Sequence, residues 1–455
     1  MVLNSWVSEL KQLVKLASPL LAAQLLTTSM GAVDTLMSGR YGAEDLAAVA
    51  VGNSIWLPIY LLLTGLLIAA TSMIARLHGA KDHAAIVTTV QQSMWMVLFA
   101  AVPGVVLLLN TGRLLVWMEV DPKLIDITRG YLQAMAFGLP AAAIFSSLRS
   151  FTEGMGRTRP YMISSLVAFL ANIPLNFALI YGRWGMPEMG GVGCGVATAI
   201  CLWLQVVMMV WLTSSRRNYD GVSWYRQWQA PSWSEIRKIL KLGLPISLAV
   251  FAEVSIFSAI ALLLAPLGAL VVAGHQIALT VSHIIFMLPL SMAQAITIRV
   301  GHYLGRGEQN LANFAAGTGV SASLLVSLST MTLILLGRES IVSWFTNDAA
   351  VHSAAVALFL WMAFYQIPDQ LQISANAALR AYQDGRVPML LILVSYWGVA
   401  LPLGYTLART DLLGPPLAAE GFWIALVTGL IMTALLLGSR LLVIARRPVS
   451  IVSAK

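Results

Sequence analysis

Residues 57–74 read LPIYLLLTGLLIAATSMI and contain no charged side chain. The runs Ala199–Thr213 and Gly421–Gly438 are equally free of charge. Together with its flanks, each run approaches the roughly 20 residues that a helix needs to cross the hydrocarbon core of a bilayer. Core helices of soluble proteins rarely repeat this pattern so often, so the sequence predicts a polytopic integral membrane protein.

The composition excludes a soluble globular protein. Of the 455 residues, 58% are hydrophobic and 11% are charged, whereas an average soluble domain carries about 25% charged residues. The net charge of +8 does not indicate nucleic-acid binding, because the basic residues lie in loops between apolar spans rather than on one concentrated face. We therefore expect membrane lipid, and no nucleic acid, as the partner of the chain.

Two local features carry little chemistry. Met1–Lys15 is amphipathic and lacks a short apolar core followed by a small-residue cleavage site, so no cleaved signal peptide is expected. Cys194 and Cys201 lie seven residues apart, on one face of a predicted helix, with no CxxC motif nearby. We interpret both cysteines as small packing residues.

Apolar windows bounded by charge, Gly and Pro predict an all-α fold with twelve transmembrane helices. The predicted helices cover residues 13–38, 47–75, 87–110, 130–148, 161–182, 192–213, 239–265, 271–298, 312–337, 353–378, 388–408 and 417–439. Of the 28 Lys and Arg residues, 21 fall at the termini and in even-numbered loops, against 7 in odd-numbered loops. By the positive-inside rule, both termini are expected in the cytoplasm.

The sixth loop is strongly basic and divides the chain. Its basic residues are Arg216, Arg217, Arg226, Arg237, Lys238 and Lys241. Its tryptophans Trp224, Trp228 and Trp233 are expected at the membrane interface. The sequence therefore predicts an N-terminal six-helix lobe over residues 1–214, a cytoplasmic loop over 215–240 and a C-terminal six-helix lobe over 241–455.

An internal repeat supports this division. Sliding the chain on itself by 226 positions aligns residues 17–82 with 243–308 without a gap. The matched pairs are Pro19 with Pro245, Gly42 with Gly268, Thr71 with Thr297, and Gly79 with Gly305. Because each half holds an even number of spans, the halves form a parallel repeat, and such pairs commonly rock around a central site. The alternative is a duplicated scaffold that only fills the membrane.

Three acidic residues lie inside predicted transmembrane helices. Asp34, Glu253 and Asp369 have no Lys or Arg one turn away. A charged carboxylate at the bilayer centre costs at least about 2.5 kcal/mol, so such residues usually face a cavity, bind a cation or stay protonated. We interpret these carboxyls as functional.

Polar residues extend these positions into stripes at helical spacing. The stripes are Thr27, Gly31, Asp34 and Ser38; Tyr365, Asp369, Gln372 and Asn376; Asn172 and Asn176; and Gln276, Thr280 and His283. The last two stripes are equally consistent with hydrogen bonds that join neighbouring helices.

Pro368 precedes Asp369 directly and removes a backbone hydrogen bond, which leaves a carbonyl near position 364 free to face an ion or water. A kink tolerated by neighbouring helices is the simpler alternative. Carboxylate, carbonyl, amide and phenol oxygens together suit a hard cation or a proton. The residues do not choose between Na⁺ and H⁺ as the coupling ion.

The expected substrate class follows from the absence of basic residues deep within the predicted spans. No Lys or Arg lies deep within a predicted span, although a cavity for an anion would normally offer one. We therefore expect cationic or neutral substrates, for which aromatic and Met side chains provide adaptable surfaces. The sequence has no GxxxxGK[ST] and no HExxH motif, so we expect secondary transport without ATP, no enzyme activity, no catalytic residues and no cofactor.

These residues together resemble the bacterial MATE (multidrug and toxic compound extrusion) family, NorM type. The resemblance covers essentially the whole chain and rests on Pro19, Gly31-Ala32-Val33-Asp34, Glu253, Gly268, Gly274-His275-Gln276, Pro368-Asp369 and Leu379-Arg380. It implies a V of two six-helix lobes in the bacterial inner membrane. It also implies export of cationic drugs and dyes in exchange for Na⁺ or H⁺, by a chain expected to act as a monomer.

The resemblance also implies roles for individual residues. Glu253, Tyr365 and Asp369 would form the cation site of the C-terminal lobe, with Glu253 and Asp369 as the Na⁺ ligands if Na⁺ is used. Asp34 and Asn172 would form the polar site of the N-terminal lobe. Substrate contacts are assigned to Gln276, Asp348, Asn176 and Gln372. At a spacing of 226, Asp34 aligns with Ile260 and Glu253 with Thr27, so the halves are chemically unequal and the coupling lobe stays open.

Two other functions stay open. A lipid-linked precursor flippase of the same superfamily should carry intramembrane basic residues for pyrophosphate, and the spans show none. A channel or membrane-embedded enzyme would use buried carboxylates without requiring two matching halves.

Overall fold

The computed structural model describes residues 2–214, 219 and 221–447. Its α-helices are α1 (Val2–Tyr41), α2 (Ala43–Gly79), α3 (His83–Leu109), α4 (Gly112–Trp117), α5 (Pro122–Gly154), α6 (Arg159–Ile180), α7 (Gly190–Thr213), α8 (Trp233–Leu264), α9 (Ala269–Gly305), α10 (Gln309–Ser343), α11 (Ala349–Ala381), α12 (Arg386–Leu393), α13 (Leu401–Arg409) and α14 (Ala418–Ala445). Within the described residues, twelve spans are long and apolar enough to cross a membrane. This confirms the predicted all-α membrane fold.

Most helices extend beyond their predicted apolar windows. For example, α1 begins at Val2 rather than at residue 13, because its first turns carry polar residues that a search for apolar windows excludes. The eleventh span is one run of α12, a π-helical stretch Val394–Ala400, and α13. Pro402 follows this stretch and has no N–H to donate, which accounts for the widened turn.

The structure preserves the internal repeat. Helices α5 and α11 are both 33 residues long. Each begins after an aspartate N-cap: Asp121 accepts a hydrogen bond from the Lys123 N–H, and Asp348 accepts from the N–H groups of Ala350 and Val351.

The described residues pack into two compact units. The N-unit is residues 18–247, and the C-unit is residues 2–17 together with 248–447. The predicted lobes placed residues 1–17 with the first half and 241–247 with the second, and the packing assigns both segments differently. Helix α1 changes unit after Ala17, and α8 changes unit after Ser247. Arg216 and Arg217 of the predicted loop lie outside the described residues.

The beginning of α1 is held in the C-unit by a partly buried ion pair. Glu9 accepts hydrogen bonds from Arg299 at 2.8 Å (Oε1 to Nε) and 2.6 Å (Oε2 to Nη2). Tyr303 OH donates to Glu9 Oε2 at 3.0 Å. Leu13 of the same segment is fully buried in a C-unit core.

Glycines bring helix backbones together at matching places in both units. A Cβ at Gly193 of α7 would lie 2.5 Å from the Leu179 carbonyl oxygen of α6. A Cβ at Gly421 of α14 would lie 2.8 Å from the Ala408 nitrogen of α13. Such close packing replaces the hydrophobic effect as the main attraction between helices in lipid.

Candidate functional site

The N-unit contains a polar cluster around Asp34 of α1. Oδ1 of Asp34 accepts hydrogen bonds from the amide nitrogens of Asn172 at 3.0 Å and Asn176 at 2.6 Å. Oδ2 accepts from Thr198 Oγ1 at 2.9 Å. Asn176 also donates to Asn172 Oδ1 at 3.1 Å. Three helices therefore meet at one carboxylate through neutral donors.

Helical spacing explains this assembly. Asn172 and Asn176 are one turn apart on α6 and are both fully buried, so both amides reach the same side of α1. On α7, Cys194, Thr198 and Cys201 follow the spacing i, i+4, i+7 and bring Thr198 to the carboxylate. Cys194 also lies beside Asp34. The sequence interpretation missed Thr198, although the spacing of the two cysteines marks its helix face.

The C-unit contains a cluster around two carboxyls. Tyr365 and Asp369, one turn apart on α11, share a side-chain hydrogen bond. Gln372 Nε2 donates to Glu253 Oε1 at 3.3 Å and to Tyr396 OH at 3.4 Å. Glu253 also acts electrostatically on Asp369, so α8, α11 and the π-helical stretch converge here.

The C-unit cluster contains partners that the sequence interpretation missed. Tyr396 sits in the π-helical stretch, whose register a regular helical pattern does not give. The charge of Arg380, three turns after Asp369 on α11, acts on Glu253, so a basic side chain beyond the predicted span 353–378, but within the longer helix of the structure, does act on the C-unit cluster. The ring of Trp423 packs edge-on against Tyr365, with centroids 5.9 Å apart.

Helix α11 continues through Pro368, next to the buried Asp369. Proline donates no hydrogen bond to the carbonyl four residues earlier, so the carbonyl of Phe364 lacks its usual helical donor. Both clusters offer oxygens and neutral donors. Among the described residues, no group of three or more His, Cys, Asp or Glu side chains is placed to hold a metal ion.

The four predicted substrate residues lie in two kinds of surroundings. Asn176 and Gln372 lie within the two carboxyl clusters. Asp348 is exposed and caps the N-terminus of α11, with Oδ1 accepting two backbone N–H groups. Gln276 is exposed on α9. The last two side chains are therefore not brought to either cluster.

The sixth loop packs against the protein at Trp224, one of the tryptophans expected at the membrane interface. Trp224 is only 5% exposed. Its Nε1 donates to Thr213 Oγ1 at 3.2 Å, because the loop folds back onto the N-unit. Trp228 and Trp233 are exposed.

Comparisons with known proteins identify the family. The MatE family model matches residues 19–178 and again 245–406, so its two matches begin at the paired prolines Pro19 and Pro245. The chain is 46% identical over 441 residues to the multidrug resistance protein PmpM of Pseudomonas aeruginosa, covering 97% of this chain and 92% of the relative. It is 41% identical to the multidrug resistance protein NorM of Aliivibrio fischeri, covering 99% and 98%.

Solved structures agree on the fold. The eukaryotic MATE transporter AtDTX14 superposes with a TM-score of 0.85 at 19% identity, covering 96% of both chains. An outward-facing MATE family transporter gives a TM-score of 0.85 at 20% identity, covering 96% of this chain and 97% of that chain. The twelve spans, the internal repeat and the similarity to known proteins lead to the same conclusion. This chain is a multi-pass membrane protein of the MATE family of multidrug efflux transporters, and a transporter rather than an enzyme.

Proposed function

We propose that this chain is a secondary antiporter that exports cationic or neutral amphipathic drugs and dyes in exchange for Na⁺ or H⁺. The bacterial relatives named as multidrug resistance proteins support the substrate class. The proposal places the protein in the bacterial inner membrane with both termini in the cytoplasm, as a monomer that uses no ATP. The termini follow from the uneven distribution of Lys and Arg between the loops.

The observation that carries the proposal is the charge balance of the C-unit cluster. Glu253 acts on Asp369, and Arg380 acts on Glu253. When both acids are ionised, the two carboxylates and the one guanidinium have a net charge of −1. Tyr365, Gln372 and the other neutral groups of the cluster do not compensate this charge. Because an uncompensated charge is costly in a membrane interior, one Na⁺ or one proton at Glu253 and Asp369 would complete the site.

The same missing positive charge explains how the protein would exchange drug for ion. A cationic drug that reaches the cluster would supply the missing charge in place of the ion, so drug and ion would disfavour each other's binding. Such a negative coupling is reciprocal, and it lets an inward ion gradient drive drug outward. Asp34, with Asn172 and Asn176, would provide a second polar site in the N-unit.

Reconstituted vesicles test the proposal. We expect dye efflux under an imposed Na⁺ gradient or an imposed pH gradient, and the effective gradient identifies the coupling ion. A collapsed gradient of the same ion is the control. Absence of dye movement under both gradients, with correctly inserted protein, would refute the antiporter function.

A further inference from the structure

The segment that connects the halves is fixed to α3 by side chains. Gln91 Nε2 donates to the carbonyl oxygens of Trp224 at 2.5 Å and Gln227 at 2.9 Å. Gln91 Oε1 accepts from the Gln229 N–H at 3.0 Å. Gln91 is fully buried, so its amide holds three backbone groups of this segment away from solvent.

Two neighbouring residues of α3 extend the attachment. Gln92 Nε2 donates to the Ala230 carbonyl at 3.0 Å, and Gln92 Oε1 accepts from the Ser232 N–H at 2.8 Å. Trp95 Nε1 donates to the Gln229 carbonyl at 3.1 Å. These bonds fix Pro231 and Trp233, which follow directly.

The fixed segment forms one wall of an apolar groove of about 390 Å³ in the N-unit. The groove is lined by Met96, Phe99 and Ala100 of α3, Pro231, and Trp233, Ile236 and Leu240 of α8. Trp233 is 70% exposed and Phe99 is 54% exposed, so the groove opens to the surroundings. Its volume falls in the range of about 300–1,000 Å³ that is usual for small-molecule sites.

Basic side chains border this groove. Arg237 lies four residues after Trp233 and next to Ile236, and Lys241 lies one turn further along α8; both are exposed. Lys238, on another face, pairs with Glu235 at 2.7 Å. An apolar cleft beside exposed cationic groups matches a molecule with a hydrocarbon chain and an anionic head.

We propose that this groove binds an anionic phospholipid, with an acyl chain along Ala100 and Leu240 and the phosphate at Arg237 and Lys241. Charge complementarity selects the occupant: a neutral apolar molecule would leave the basic border unused. The predicted topology places this border at the cytoplasmic leaflet, where anionic lipids interact with juxtamembrane Lys and Arg. Bound lipid would pack against the segment that joins the two halves and stabilise it.

Native mass spectrometry of the purified full-length protein tests the site with phosphatidylglycerol and phosphatidylcholine of identical acyl chains. We expect wild type to retain one phosphatidylglycerol preferentially. The variant Arg237→Gln should weaken retention about fivefold, and Arg237→Gln with Lys241→Gln should remove the preference. Lys123→Gln, the same charge change at an exposed position of α5, is the matched control and should behave as wild type.

A second arm tests the groove itself. Ala100→Phe fills it and should prevent retention of phosphatidylglycerol while the basic residues remain. Inorganic phosphate should not displace the lipid, which separates a lipid from a free anion as the ligand. Melting temperatures in phosphatidylcholine verify that the variants are folded. Any of three results would overturn the proposal. These are equal retention of both lipids by wild type, unchanged retention of phosphatidylglycerol by the double variant, and displacement of the bound lipid by a cationic dye alone.

Discussion

The amide nitrogen of Asn176 lies 2.6 Å from Oδ1 of Asp34, and this bond joins α6 to α1 inside the N-unit. Removing one donor from such a bond leaves a polar group without its partner, which costs about 1–3 kcal/mol.

From this contact we expect Asn176→Ala to lower the free energy of unfolding by about 1–3 kcal/mol, since the half-buried carboxyl of Asp34 loses a donor that is itself fully buried. Thr198→Val removes the donor to the other carboxyl oxygen and should cost less, because Thr198 is only half-buried and water replaces its hydroxyl more easily than it replaces the buried amide of Asn176. Unfolding in mixed detergent measures both. An Asn176→Ala protein as stable as wild type would contradict this role.

Asp369→Asn should fold but lose ion-stimulated efflux. The amide keeps the shape and hydrogen bonding of the side chain, but it removes the charge deficit of the C-unit cluster, so neither Na⁺ nor H⁺ has a charge to neutralise. Membrane levels should stay near wild type, because no buried charge is left unpaired by the change. Glu253→Gln should also lose ion-stimulated efflux, and it should lower stability as well, because it removes the carboxylate on which the buried charge of Arg380 acts.

Drug efflux from loaded vesicles at several ion concentrations measures this effect, with protein content determined alongside. The exposed Asp126 on α5 gives a matched control, Asp126→Asn, which should keep its ion response. Full ion-stimulated efflux by Asp369→Asn would exclude Asp369 from the mechanism and leave Asp34 as the principal candidate.

The Glu9–Arg299 pair should stabilise the C-unit far more than a surface pair does. Its side chains are only 9% and 18% exposed, so Glu9→Gln should cost about 3 kcal/mol by leaving Arg299 uncompensated. Glu235→Gln, in a pair whose side chains are 36% and 63% exposed, should cost less than about 1 kcal/mol. Double-mutant cycles for both pairs provide the measurement, and equal coupling energies would show that burial does not matter here.

Gly193→Ala and Gly421→Ala should each destabilise the protein by about 1–3 kcal/mol, because the added methyl group meets the backbone of the neighbouring helix. At Gly438 a Cβ has no atom within 4 Å, and Gly438→Ala in the interior of α14 should be neutral or stabilising. Thermal unfolding distinguishes the three variants, and similar melting temperatures would argue against close backbone contact.

Thiol labelling tests the predicted orientation. In intact cells, a membrane-impermeant reagent should modify Asp348→Cys and spare Arg226→Cys; the reverse pattern would refute cytoplasmic termini. Position 226 is exposed, whereas the buried Trp224 would resist labelling on either side of the membrane. Cys194 and Cys201 are both buried, so the unmodified protein should give little background.

The sequence predicts which side chains share a helix face better than it predicts their partners on other helices. Tyr365, Asp369 and Gln372 were recognised from spacing along α11, and the structure brings them to Glu253. Tyr396 was missed because it belongs to a π-helical stretch, where the periodicity of 3.6 residues fails.

Long-range packing limited the other predictions. Charge runs and apolar windows placed the boundary between the halves in the basic loop. They could not show that residues 2–17 pack with the C-unit and residues 233–247 with the N-unit, because the buried positions of these segments, such as Leu13 and Ile246, look the same whichever core receives them. The burial of Trp224 depends in the same way on tertiary packing.

The change of unit within α1 and α8 has an evolutionary consequence. Each repeat begins with a helical segment that completes the core of the other repeat. In a single six-helix ancestor with this arrangement, the first helical segment would not have packed into the core of its own chain. Two identical copies would therefore have had to exchange these segments. Gene fusion would then have made a swapped homodimer permanent, after which the copies were free to acquire Asp34 in one and Glu253 with Asp369 in the other.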